Sequence, residues 1–551
     1  MRTSVTPHTG RDSKRAIAAA LLAGTVAGGM YWATLLPGLD LGDTASFQTV
    51  VMLPIVVPRH AYPLYFALGK LFVFLLGQGN PAFAMNVLSA AAGVAAIIAS
   101  AWLAYALTGR VFVGLWSALL FAGSYTFWSQ ALIAEVYTLE ALFIALVLIA
   151  AVGWWRSPTA GRLAVLYGVY ALSFGNHLSM ILLAPALIWL LWMGRTRATL
   201  NPFSPLGVAL AAAIAGTGAL QYAWSFSGLW ALSTPRPPMS ELLSTFWFDV
   251  TKSDWRATLV GTVPVAQWGN RIAMYWWDLQ QQFGLLGIAI AASGIAVMLR
   301  ASLSLGMAFV LAYIVTFAFA FIYNVGDTHV FLLPSHQIVA AFAAIGASAL
   351  VKSASRTRFQ WALMLVLIAL PASRIADTWP AVDRSSDRRA EGYAEASVAG
   401  LTPASSVYVA DLNWQTQNAV GYHLAIHRPE VPRVFAAQVL WHFPEFVRHN
   451  HELGREIVLT KPAADAIASA YGTMFPLVQD SREPTLPLGD VASIPPGTPY
   501  VLVLMTPLPE LVYDAPEVAR VTRALTGLQV PRARYAMMAG LSGSSPLLNR
   551  S

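Results

Sequence analysis

No cysteine occurs in the 551 residues of this chain, so disulfides, thiolate nucleophiles and cysteine-ligated metals are all excluded. Charge is nearly as scarce. Asp, Glu, Lys and Arg make up 11% of the residues and hydrophobic types 57%, against roughly 25% charged in soluble domains. A chain so composed reads as a polytopic membrane protein. No internal repeat is evident, which argues against a transporter built from two symmetric halves. The formal net charge of +7 does not point to nucleic acid, because the cations sit in short loops between apolar runs, where they set topology.

Spans of roughly 17–25 residues, shorter inside a bundle, predict about eleven helices, near 16–36, 83–107, 111–128, 133–155, 163–175, 178–193, 206–224, 283–299, 303–323, 330–350 and 360–376. The fifth and sixth meet at Asn176-His177, so one re-entrant or broken helix is an alternative there. Arg11, Lys14 and Arg15 precede the first run, which puts the N-terminus (1–15) in the cytoplasm. That run lacks a small-residue cleavage site and reads as a retained helix. Acids are almost missing from the predicted cytoplasmic segments, which carry Arg110, Arg156, Arg162, Arg195, Arg197, Arg300 and Lys352 against Asp12 alone. The predicted outer segments hold Asp40, Asp43, Glu135, Glu140, Glu241, Asp249, Asp254, Asp278 and Asp327.

The expected organisation is therefore a helical membrane domain over 16–376 with two large outer loops, 37–82 and 225–282, followed by a small extracytoplasmic α/β domain over 377–551. In that last region Val407–Leu412 and Tyr500–Leu504 read as strands, Trp414–Ile426 and Lys461–Ala470 as helices, and the stretch from Gly540 as a tail. An odd number of spans puts this domain outside the cytoplasm, as a periplasmic or otherwise external appendage of the inner (plasma) membrane.

Four polar clusters share the predicted outer face. Asp40 and Asp43 lie just beyond the first helix, where a carboxylate beside apolar walls can serve as a general base; the bland alternative is that they cap the next helix. Glu135-Val136-Tyr137-Thr138-Leu139-Glu140 opens the fourth helix, and an acid in an apolar run faces a polar cavity or a partner. Asn176-His177 joins the fifth and sixth helices, where a lone His is often structural. Asn324, Asp327 and His329 line a short loop able to bind a metal, a sugar or a phosphate, although too few ligands cluster for zinc. Pro58-Arg59-His60-Ala61-Tyr62-Pro63-Leu64 adds an aromatic and basic turn near the first acids.

These ordered motifs resemble the GT-C superfamily of multi-spanning glycosyltransferases, within it the branch that includes the plexin O-mannosyltransferase. That branch opens with an Asp, two residues and an acid, matched by Asp40 and Asp43, and continues with a His-Pro-Pro-Gly-Tyr-Pro-Leu stretch, matched by Pro58 to Leu64. The Glu135–Leu139, Asn176–Leu178 and Tyr323–Pro334 segments fit as well. Two departures stand out: Asp43 replaces the usual Glu, and the expected His is Pro58, with His60 two residues later.

The resemblance implies a GT-C-like helical fold and transfer of a sugar, mannose or a related hexose, from a polyprenyl-phosphate donor in the lipid bilayer. The acceptor would be a hydroxyl on a protein, lipid or glycan, attacked with inversion. It implies Asp40 as base with Asp43 as alternate, and Arg59, His60, Tyr62, Glu135, Tyr137, Asn176, His177, Asn324, Asp327 and His329 as substrate-binding residues. Arg59 is the favoured phosphate ligand for its permanent charge and its fork of donors. No cofactor, metal or nucleic acid is implied. The competing classes are a transporter or flippase of lipid-linked glycans or small solutes, and a non-catalytic membrane scaffold.

Overall fold

Apolar runs with capping residues at their ends dictate most of the helices. The computed structural model describes residues 10–399 apart from 234, 355 and 356, together with 406–410, 414–431, 433–436, 452–454, 456–459 and 500–504. Those residues form two units by their internal contacts. One comprises the chain up to Pro37 and Val50–Asp387; the other comprises Gly38–Thr49 and the residues from Arg388 onward.

The order of helices begins α1 (Gly10–Thr34), α2 (Gly42–Val50), α3 (Pro63–Leu76), α4 (Pro81–Thr108), α5 (Val111–Ala122), α6 (Tyr125–Gln130) and α7 (Tyr137–Arg156). It continues with α8 (Ala160–Ser173), α9 (Ala184–Gly194), α10 (Pro205–Ala219), α11 (Ala223–Leu232), α12 (Met239–Val250), α13 (Ser253–Leu259) and α14 (Trp268–Ala301). The rest are α15 (Leu303–Ile322), α16 (Thr328–Phe331), α17 (Leu333–Ser353), α18 (Thr357–Val382), α19 (Arg389–Val398) and α20 (Trp414–His427). Among the described residues, eight helices are long and apolar enough to cross a membrane, with shorter apolar helices at Pro63–Leu76, Val111–Ala122 and Leu178–Gly194.

Caps explain several boundaries. Asn80 accepts the Phe83 N–H at 3.0 Å and Pro81 fills the first helical position of α4, where a missing N–H costs nothing. Gly109, at φ 70°, ends the same helix with its N–H on the Tyr105 carbonyl, the left-handed closure glycine favours. The core of the first unit is the α14–α17 crossing. A Cβ on Gly294 would overlap the Phe342 carbonyl, and one on Gly346 the Ile290 carbonyl. Small residues here let two backbones touch, as membrane helices require when lipid is as apolar as leucine.

The helices differ from the sequence expectation in identifiable ways. The run predicted over 111–128 stops at Ala122, because Gly123 and Ser124 turn the chain before α6. The run predicted from 133 begins at Tyr137, leaving Glu135 ahead of the helix. The pair at 163–175 and 178–193 is interrupted by a turn and a 3-10 segment, Leu178–Leu183, in keeping with the broken-helix alternative. The span expected at 283–299 reaches back to Trp268, with a bend where Gly284 takes φ 64°, so part of the expected outer loop 225–282 is helix.

In the second unit α19 and α20 accompany four strands, β1 (Ser406–Ala410), β2 (Arg433–Ala436), β3 (Glu456–Leu459) and β4 (Tyr500–Leu504). They pair in parallel in the order β2-β4-β1-β3. Residues Lys461–Ala470 and the stretch from Gly540 lie outside the described residues.

Candidate functional site

The turn before α3 is the most strained backbone of the first unit. Ala61 takes φ 51° and ψ −159° and Tyr62 takes φ 53° and ψ 48°. The Ala61 combination is one that glycine alone adopts freely, and glycine is the residue that the resembling motif carries at this position. The strain is fixed by hydrogen bonds on both sides. The Ala61 N–H donates to the Pro58 carbonyl at 2.8 Å, and the Leu64 N–H donates to the Gly175 carbonyl at 2.8 Å. This last bond pins the turn to the loop that carries Asn176 and His177.

Aromatic rings then gather. Tyr62 stacks on His177 with centroids 5.5 Å apart at 11°, and Tyr137 approaches the same imidazole at 5.9 Å. Behind it, His177 Nδ1 bonds Ser179 Oγ, whose hydroxyl donates to Glu140 Oε1; the Nδ1–Glu140 separation is 3.5 Å. Glu140 is 2% exposed and stands in the first turn of α7, where the helix dipole favours a carboxylate. Asn176 is fully buried and donates to the Val136 carbonyl at 3.1 Å, fastening the loop to the start of α7. Glu135 lies on the approach to that helix, its backbone held through Ser89.

The cations do not behave as the sequence predicts. Arg59 gives its fork to Asp254 at 2.8 and 2.7 Å, with Asp249 at 3.9 Å and the Trp255 ring beneath it. The Arg59 hydrogen bond holds the partly exposed Asp254 carboxyl at about 2, below its ordinary range. His60 fails as a charged ligand for another reason. Burial, helped by the Lys252 ammonium, pulls its imidazole down to about 4, so it is neutral near pH 7, and its Nδ1 accepts the Val57 N–H. Lys252 joins the cluster instead. It lies 4.9 Å above the Tyr62 ring and 4.8 Å from that of Trp255, and donates to the Tyr62 hydroxyl at 3.2 Å.

An apolar cavity of about 940 Å³ adjoins this cluster, walled by α8, the Leu178–Leu183 segment, α9, α10, α11 and α12. Its lining includes Tyr170, Phe174, Leu178, Tyr222, Phe246 and Val250. Leu178 follows His177 in the chain and Val250 precedes Lys252 by two, so two of the lining residues are chain neighbours of the polar groups.

The loop with Asn324, Asp327 and His329 is joined to the cluster through Phe331, whose ring meets Tyr137 at 5.8 Å. Asn324 and Asp327 are exposed. Asn324 is fixed by its N–H on the Leu259 carbonyl at 2.9 Å, and burial lowers the His329 imidazole below its ordinary value, against the opposing pull of Asp327 and Asp278. In the second unit Asp40 and Asp43 flank Gly42, which takes φ 65° at the start of α2. Gln48 grips this turn, accepting the Asp40 N–H at 3.3 Å and donating to the Gly38 carbonyl at 3.2 Å. Asn418 of α20 donates to the Gly42 carbonyl at 3.0 Å.

Sequence reasoning chose Glu135 over Glu140 from the 135–140 cluster and overlooked Ser179 and Lys252 as site residues. Ser179 carries a usable signal, a hydroxyl two residues after His177. Lys252 carries none, because only the fold brings 252 onto Tyr62.

Residues 59–200 match the profile described as the protein O-mannosyl-transferase TMEM260 N-terminal domain. Two solved structures share the fold: ArnT from Cupriavidus metallidurans bound to undecaprenyl phosphate (TM-score 0.52) and the same protein in the apo state (TM-score 0.53). Each is 14% identical to this chain, over 85% of its length and 96% of ArnT. With eight helices among the described residues long and apolar enough to cross a membrane, on that fold, the protein is a multi-pass membrane protein. The matched stretch holds Arg59, Tyr62, Glu140 and His177.

Proposed function

We propose that the protein transfers a sugar, mannose or a related hexose, from a polyprenyl monophosphate to an acceptor hydroxyl at the extracytoplasmic face of the inner membrane. A protein Ser or Thr is the acceptor we favour. The observation that carries this reading is the apolar cavity whose lining residues Leu178, Tyr222 and Val250 neighbour the cluster of Tyr62, His177 and Lys252: a long isoprenoid tail fits the greasy wall and an anionic headgroup fits the cationic cluster beside it. ArnT, which shares the fold, is known with undecaprenyl phosphate bound. In the proposed step Asp40, with Asp43 as alternate, accepts the hydroxyl proton while the acceptor oxygen bonds the sugar C1. The bond from C1 to the phosphate oxygen breaks, and its electrons leave with the phosphate. His177 and Lys252 hold that charge, and Arg59 anchors the α12–α13 segment through Asp254.

The test uses the full chain in lipid nanodiscs with a polyprenyl-phosphate mannose and a Ser/Thr-rich peptide. Asp40→Asn or Asp43→Asn should cost about 10²–10⁴ in turnover, the usual worth of a general base, with donor binding kept. Full turnover in both variants refutes the assignment of the base. Failure of the wild type to bind the donor refutes the reading itself.

A further inference from the structure

The imidazole of His177 is restrained on three sides and free on the fourth. Tyr62 and Tyr137 hold its ring, and Nδ1 faces Ser179 and Glu140. Among the described residues Nε2 has no hydrogen-bond partner. The Glu140 side chain is only 3% exposed and that of His177 14%. A carboxylate so buried requires a donor and favours a nearby positive charge. Because the Ser179 hydroxyl donates to Glu140, the Ser179 oxygen is left to accept from Nδ1, so the ring proton belongs on Nδ1.

Resting on the donor reading above, we infer that Glu140 is a positioning residue: through Ser179 it fixes the proton on His177 Nδ1 and the orientation of the ring, and so presents Nε2 to the phosphate of the lipid-linked sugar. Other charges face this ring. Lys252 lies beyond Tyr62, and Glu135 and Asp327 lie within electrostatic reach of Tyr137. Glu140 approaches Nδ1 itself, at 3.5 Å. The logic is that of any histidine whose second nitrogen is set by the hydrogen bond its first one makes.

The experiment measures binding and turnover of a polyprenyl-monophosphate sugar by the full chain in nanodiscs, with the ring-nitrogen NMR shifts of His177 read alongside. Wild type, Glu140→Gln, Ser179→Ala and His177→Gln are compared. Glu140→Gln should raise the donor KM about tenfold, the order of one hydrogen bond to a charged group, while kcat at saturating donor stays near wild type. Ser179→Ala should move KM in the same direction, and His177→Gln should show the same loss with no further loss when combined with Glu140→Gln. An unchanged donor KM in Glu140→Gln, or nitrogen shifts showing the wild-type ring proton away from Nδ1, overturns the inference while leaving the donor reading intact. A wild type that binds no lipid phosphate overturns both.

Discussion

Asp278 on α14 and His336 on α17 form a pair whose energetics can be measured cleanly. Oδ2 of Asp278 meets Nε2 of His336 at 2.6 Å, with side-chain exposures of 4% and 1%. The other carboxylate oxygen accepts from Gln282 at 2.9 Å, and Gln282 in turn exchanges hydrogen bonds with Thr126 at 2.8 and 3.1 Å. The Phe283 ring closes the edge of the imidazole at 6.0 Å. Changing His336 to Leu fills most of the ring volume but leaves a buried carboxylate with Gln282 as its hydrogen-bond partner. Breaking such a pair from one side costs about 3–5 kcal/mol, whereas replacing both members by apolar residues is neutral or stabilising by about 1–4 kcal/mol. The double variant Asp278→Leu/His336→Leu should therefore recover most of the loss, giving a coupling energy of several kcal/mol in a double-mutant cycle. Reversible unfolding in mixed micelles supplies the four free energies. A cost below about 1 kcal/mol for His336→Leu, or a double variant no more stable than the worse single one, would refute the reasoning.

Two further outcomes follow from the site. His60 sits at about 4 in the fold and at about 6.5 when unfolded, so the unfolded chain binds more protons between those values. Its contribution is complete above about pH 6.5 and is lost as pH falls towards 4, about 3 kcal/mol in all; His60→Asn, which keeps an acceptor for the Val57 N–H, should flatten that part of the stability profile, and an unchanged slope would contradict the assignment. Asp254→Asn should loosen the Arg59 anchor of the α12–α13 segment that carries Lys252 and weaken polyprenyl monophosphate binding two- to fivefold, in line with the ~0.2–1 kcal/mol worth of a partly exposed pair. Tighter binding in that variant would instead make the released Arg59 fork a phosphate ligand.

Much of this was legible before any coordinates. Apolar runs closed by Asn80, Pro81, Gly109 or Ser302 announce their helices, because caps and hydrophobic length act locally. Tyr62, Tyr137 and His177 were singled out from short motifs, and the fold brings the three rings together. Arg59 misled because its donor fork is as suited to Asp254 as to a phosphate, and which anion it meets depends on how 59 and 254 are folded together. Glu135 and Glu140 were indistinguishable until the start of α7 at Tyr137 put one ahead of the helix and the other in its first buried turn.

Composition and hydrophobic periodicity alone thus determined that the chain is a membrane bundle without thiol chemistry, and they singled out the short motifs in which most of its site residues lie. Pairings across long separations belonged to the tertiary structure: Lys252 with Tyr62, Asp254 with Arg59, Asp278 with His336, Glu140 with His177. The physical reason is that burial length and capping are properties of a segment. A charge partner is a property of the space into which two distant segments are packed, and in a low-dielectric interior that space decides what each ionisable group can do.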